Sequence, residues 1–260
     1  MDQKEMRSRT LIPSAGLLAF VLLGASAAAV AQSASFVVSQ NGKPVGTASF
    51  SFTSKPTGVD STSLVRVEMQ GLNYSLSKSE ELSPTYALLH VQLSAIVNNS
   101  AVKVVAKPDG AQFLMNISAN GRANTTRLDT HKSTVFLPDF DPGALQTLLT
   151  IAATGNNRDL WAMIPKQAGS IAPIQLATYP DEEGTLDGKP LAVHHLIATI
   201  AGASTDLFIG TENQLLQAEL PQQGFALVRQ GFVLTPPKKP LAPPPAPDAA
   251  QPPNTSTAPQ

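Results

Sequence analysis

Few side chains in this chain are of a type and spacing that could make or break bonds. It has four histidines, His90, His131, His194 and His195. His194 and His195 are adjacent in a segment of strand character, so their side chains point to opposite faces and cannot meet on one metal ion. No His-x-His, His-Glu-x-x-His or acidic triad accompanies them. A serine nucleophile needs a neighbouring base. Ser75-Leu76-Ser77-Lys78 has the Ser-x-x-Lys spacing, but it lies in a strand pattern and lacks the motifs that go with it. Gly-x-Ser-x-Gly is absent. Asp139 and Asp141 fit a loop and a helix cap, and Asp181, Glu182 and Glu183 fit a solvated turn. A glycosidase would need two carboxylates converging on a cleft. No glycine-rich phosphate loop follows any strand. The chain has no cysteine, which removes disulfides, thiolate nucleophiles, zinc–thiolate sites and a lipid-modified cysteine together. The expectation is therefore a protein that is not an enzyme and carries no catalytic residue, no metal and no cofactor.

The apolar residues carry more information. From Ala34 to about Leu128 apolar and polar residues alternate, the period-2 signature of half-buried strands. Ala48, Phe50 and Phe52 alternate with serine and threonine, and Val65, Val67 and Met69 with Leu64, Arg66 and Glu68; Val91, Leu93, Ala95 and Val97, then Phe113, Met115 and Ile117, form further single faces. Asn41-Gly42, Pro56-Thr57-Gly58, Asn98-Asn99 and Pro108-Asp109-Gly110 punctuate these runs as turns, which predicts an antiparallel meander. The middle breaks the rhythm. Asp141-Pro142 is a cap followed by proline at the first helical position, and Leu145, Leu148, Leu149 and Ala152 share one face. This predicts one amphipathic helix over 142–154, closed by Gly155-Asn156-Asn157. Strands resume at Leu160-Trp161-Ala162-Met163-Ile164 and continue to Val233. The fold class expected is mostly β: a strongly curved antiparallel sheet or half-open β-barrel with the helix packed on it. The candidate apolar lining of its concavity is Phe50, Phe52, Leu93, Phe113, Met115, Leu145, Leu148, Leu149 and Trp161. Two readings stay open for these residues, a filled core and an apolar cavity.

Three segments follow from composition. Residues 1–31 read as a signal peptide: Lys4, Arg7 and Arg9 precede an apolar run and an Ala29-Val30-Ala31 small-x-small site. The run is about 14 residues, short of the roughly 20 that span a bilayer as a helix. Residues 32–234 form the β-rich domain. Residues 235–260 hold ten prolines and read as an extended, disordered tail, since proline lacks a backbone donor and fixes φ. The location expected is periplasmic or secreted, with membrane attachment only through an uncleaved signal. Hydrophobic residues make up 42% and charged residues 14%, so the chain can bury a core. A net charge of −1 gives no basic surface for nucleic acid.

Several short segments resemble a bacterial family of uncharacterised exported proteins. Gly42-Lys43-Pro44-Val45-Gly46 looks like its Gly-x-x-Val-Gly start, and Leu82-Ser83-Pro84-Thr85-Tyr86 like its Leu-x-Pro segment. Leu186-Asp187-Gly188-Lys189-Pro190-Leu191-Ala192-Val193 is similar to its glycine-centred hairpin. Asp206-Leu207-Phe208-Ile209 and Asn213-Gln214-Leu215-Leu216 resemble its late strand pair, with Phe208 where the family usually has Trp. The resemblance implies a half-barrel like that of the lipoprotein localisation factors, the LolA-like carriers of the periplasm. It carries over no catalytic residue. With it, the sequence leads to non-enzymatic binding in the cell envelope, the partner being a lipid or lipoprotein held in the concavity. The alternative is an adaptor with a filled core whose proline-rich tail reaches another envelope protein.

Overall fold

The computed structural model describes residues 31–154, 159–166 and 168–236. The signal-peptide reading, the helix-closing Gly155-Asn156-Asn157 and nearly all of the proline-rich tail lie outside them.

Sixteen strands and one helix make up the described chain. The first half is a meander: β1 (Ala31–Gln40), β2 (Lys43–Lys55), β3 (Gly58–Met69), β4 (Leu72–Leu82), β5 (Leu88–Val97), β6 (Ser100–Asp109), β7 (Gln112–Ala119) and β8 (Arg122–Asp129). Each pairs antiparallel with the next. Tight turns make this possible. Asn41 and Gly42 both have positive φ, 48° and 76°, the geometry whose twist matches a two-residue hairpin.

Then come β9 (Ser133–Phe136), α1 (Pro142–Ala153) and β10 (Leu160–Ile164). β9 and β10 pair parallel, with α1 as their crossover. This is the one parallel pair in a sheet that is otherwise antiparallel among the described residues, so the expected mostly antiparallel fold holds. β9 escaped notice because its four residues are all buried and do not alternate. The chain closes with β11 (Ser170–Leu186), β12 (Lys189–Ile200), β13 (Ala203–Ile209), β14 (Leu215–Leu220), β15 (Phe225–Arg229) and β16 (Phe232–Leu234). β15 returns to pair with β1, so the two halves form one sheet ordered β8-β7-β6-β5-β4-β3-β2-β1-β15-β14-β13-β12-β11-β10-β9, and β16 joins β11. The sheet is large, open and curved, and its ends do not pair into a barrel.

Alternation sorts the sheet into two faces. Phe36, Val38, Phe50, Phe52, Val65, Val67, Leu76, Val91, Leu93, Phe113 and Met115 point inward, in one continuous core with α1, β9 and β10. The helix packs against β2 and β3 on one side and β9 and β14 on the others. Its apolar stripe faces the core as expected, and most of its polar positions are buried too. Gln146 explains how: its Nε2 donates to the Asn213 carbonyl at 2.9 Å, and its Oε1 accepts from the Leu215 amide at 2.8 Å. A second, smaller core lies outside the sheet, where β16 brings Phe232 over Val193, Phe208 and Leu216.

Candidate functional site

Of the nine candidate lining residues, eight are buried in the main core: Phe50, Phe52, Leu93, Phe113, Met115, Leu145, Leu148 and Leu149. Phe36, Phe50 and Phe52 form a chain of rings with centroids 6.1 and 5.2 Å apart. Trp161 stands elsewhere. It stacks on His131 at 3.6 Å, and its Nε1 donates to Asp159 Oδ1 at 2.7 Å. Most of the inward face is thus occupied by the protein's own side chains. Leu145 and Leu149 also line pockets that open to the surface.

Leu145 lies on the larger of those pockets, of about 270 Å³. Four parts of the chain build it. The β9–α1 loop gives Leu137, Phe140 and Asp141, and α1 gives Leu145. β10 and the residues after it give Ile164 and Lys166. The far ends of β12–β15 give Ile200, Leu220 and Leu227. Its wall is mainly aliphatic and aromatic. Lys166 Nζ and Asp139 Oδ1 form an exposed ion pair at its edge, 2.8 Å apart. Phe140 is held at φ 56°, a left-handed conformation uncommon for a bulky residue. Its ring packs edge-on against Tyr74 at 5.8 Å and Phe225 at 4.7 Å. Tyr74 donates from its hydroxyl to the Asp139 carbonyl at 3.3 Å. Burial, with the charges of Asp139 and Asp141, pushes the Tyr74 pKa far above its usual value, so it stays a neutral donor.

Behind Phe140 lies a buried ionic cluster. Lys78 Nζ is 2.6 Å from Asp141 Oδ2 and 2.8 Å from Glu80 Oε2, and all three side chains are 2% exposed or less. Asp141 is also the helix cap: its Oδ1 accepts from the Gly143 and Ala144 amides at 2.9 and 3.2 Å. Burial raises the Glu80 pKa; Lys78 opposes that shift, and the Asp141 charge adds to it. For Lys78 burial acts downward, but the two carboxylates outweigh it and hold the ammonium above its usual value. Ser63, across from Lys78 on β3, buries a hydroxyl with no partner.

Sequence reasoning missed this cluster, although a signal for it was present. Tyr74, Leu76, Lys78, Glu80 and Leu82 keep one phase of the β4 alternation, and all five are buried. Lys78 and Glu80 occupy inward positions in an apolar register. The Ser75–Lys78 spacing has no chemical consequence: Ser75 lies on the outer face and Lys78 on the inner one.

The histidine pair is split between faces, as adjacency in a strand requires. His194 is exposed and meets Asp181 at 3.0 Å. His195 is mostly buried, with Nδ1 3.3 Å from Glu182 and Nε2 2.9 Å from Asp206, and its ring stacks on Phe208 at 4.6 Å. Among the described residues no three histidine or carboxylate side chains converge so as to hold a metal ion. No helix of the described residues is long and apolar enough to cross a membrane. Comparison with family models, with curated proteins and with solved structures finds no match to this chain, and the case for function rests on its own residues.

Proposed function

We propose that this is a non-enzymatic binding protein of the cell envelope that holds the end of an apolar chain, such as the acyl group of a lipid or lipoprotein, in the pocket beside the N-terminus of α1. The observation that carries this reading is the pocket itself. Its mainly apolar wall lies at one end of a largely filled concavity, with a charged pair at its edge. That combination suits a ligand with a greasy tail and a wet head. At about 30 Å³ for a water-sized group, a volume of 270 Å³ takes about nine heavy atoms, the end of one chain and not a whole lipid. The signal-peptide character of residues 1–31, read from their sequence, favours the same reading.

Ala203 lines this pocket and is itself exposed, so Ala203→Trp narrows the opening with little effect on the core. Wild type is expected to take up cis-parinaric acid with a rise in its fluorescence, and Ala203→Trp to lose that uptake while melting normally. Equal uptake by both proteins, or none by wild type, sinks the reading. The filled inner face favours a second one, an adaptor acting through residues 235–260. On that reading, removing the tail abolishes capture of an envelope protein and leaves parinarate uptake absent throughout.

A further inference from the structure

A larger pocket than the one beside α1 lies on the opposite, outer face of the sheet. It is a groove of about 660 Å³, within the range of small-ligand sites, and it crosses β1 to β6. Strand register shows how it is built. One row across the sheet reads Ser35, Ser49, Leu64, Ser77, Ser94 and Lys103, and the next reads Thr47, Arg66, Ser75, Ile96 and Ala101. The floor is thus mostly hydroxyls on short side chains, each a donor and an acceptor. Leu64 and Ile96 stand out of it, 59% and 47% exposed. Arg66 and Lys103 are exposed on strands three spacings apart, about 14 Å at the usual inter-strand distance. Neither forms an ion pair among the described residues, and their cross-strand neighbours are Thr47 and Ser75 for Arg66, and Ser94 and Ser118 for Lys103.

We infer that this groove binds a linear acidic oligosaccharide. Hydroxyls on the floor match a ligand that is itself rich in hydroxyls. Two separated cations without acidic partners match anionic groups repeated along a chain. Leu64 and Ile96 offer aliphatic surface to the C–H faces of sugar rings. The groove carries no exposed aromatic or acidic side chain that would favour a proline-rich or a basic partner. This site is separate from the acyl pocket, and either assignment stands without the other.

Calorimetric titration of the full chain with hexagalacturonate tests it, with maltohexaose and a glutamate hexapeptide as comparisons. Binding of hexagalacturonate alone is expected. Arg66→Ala/Lys103→Ala should weaken it at least tenfold, and Ser77→Trp, which fills the exposed floor, should abolish it. All of these positions but Ser75 and Ser49 are exposed, so the variants should melt with wild type, and a melting curve checks this. No binding by wild type overturns the assignment, as does equal binding of maltohexaose or of the peptide, or undiminished binding by the double variant.

Discussion

Removing the buried cation is the sharpest test of how α1 is held. Lys78→Met leaves Glu80 and Asp141 facing each other with no counter-charge, at side chains 2% exposed or less. Breaking a buried ion pair from one side costs about 3–5 kcal/mol, because the remaining charge is neither solvated nor compensated. For a domain of this size each kcal/mol shifts Tm by about 2–4 °C, so the variant should melt on the order of 10 °C lower at pH 8. Acid should shrink that difference, since burial raises the Glu80 pKa and its protonation removes one of the charges left behind. Replacing the set as a unit is the necessary companion. Lys78→Met/Glu80→Leu/Asp141→Asn removes every buried charge and keeps a capping oxygen at position 141. It should recover most of the loss, as apolar replacements of buried ion groups generally do. Scanning calorimetry at pH 5 and pH 8 reads both variants. Lys78→Met melting within about 2 °C of wild type at pH 8 would refute the account, and so would a triple variant no better than the single one.

Glu80→Gln tests the direction of the Glu80 shift. Its folded pKa is raised above the ordinary 4.5, so the stability it contributes is full below that value and is lost as pH rises through the folded one. The variant should therefore gain on wild type in urea melts at pH 8 and show no gain at pH 4; the opposite ordering would count against burial as the cause. Gly143→Ala tests the close approach of α1 to β3, because an added Cβ would run into the Ser63 hydroxyl and sit 3.1 Å from Phe50 Cβ. Overpacking of about 1–3 kcal/mol should outweigh the roughly 1 kcal/mol gained in helix propensity. Ser63→Ala in the same chain should return part of the loss, read as the urea midpoint.

The meander was legible because one rule fixes it. Where one face is buried and the other wet, a period-2 pattern specifies register as well as strand identity. Strands β2 to β7 obey it, and Asn41-Gly42, Asn98-Asn99, Asp109-Gly110 and Asn120-Gly121 mark four of the turns within and beside them. Legibility fails where a second rule intervenes. β9 is buried on both faces, so it has nothing to alternate. Asp181-Glu182-Glu183 looked like a turn but lies inside the 17-residue β11, where one extra residue between Tyr179 and Glu182 makes a bulge. The run from Phe225 to Val233 splits at Gly231 into β15 and β16, because its last residues cross to β11 and cover the outer core. The pocket was not legible at all. Its walls come from segments up to 90 residues apart, Leu137 to Leu227, and no local pattern records such a meeting.

The buried charges and the pocket belong to one argument about position. A helix of twelve residues is marginal alone, and apolar contact is non-directional, so core packing permits α1 to slide or turn. Directional contacts remove that freedom. Asp141 ties the first turn to Lys78 on β4, and Gln146 ties the next to Asn213 and Leu215. Between Asp141 and the Lys166–Asp139 pair only Phe140 is left to close the path, and it does so at positive φ, its ring fixed by Tyr74 and Phe225. The wall of the pocket is therefore set by charges that an apolar replacement would match in stability but not in direction, which is why the triple variant separates holding the helix from placing it.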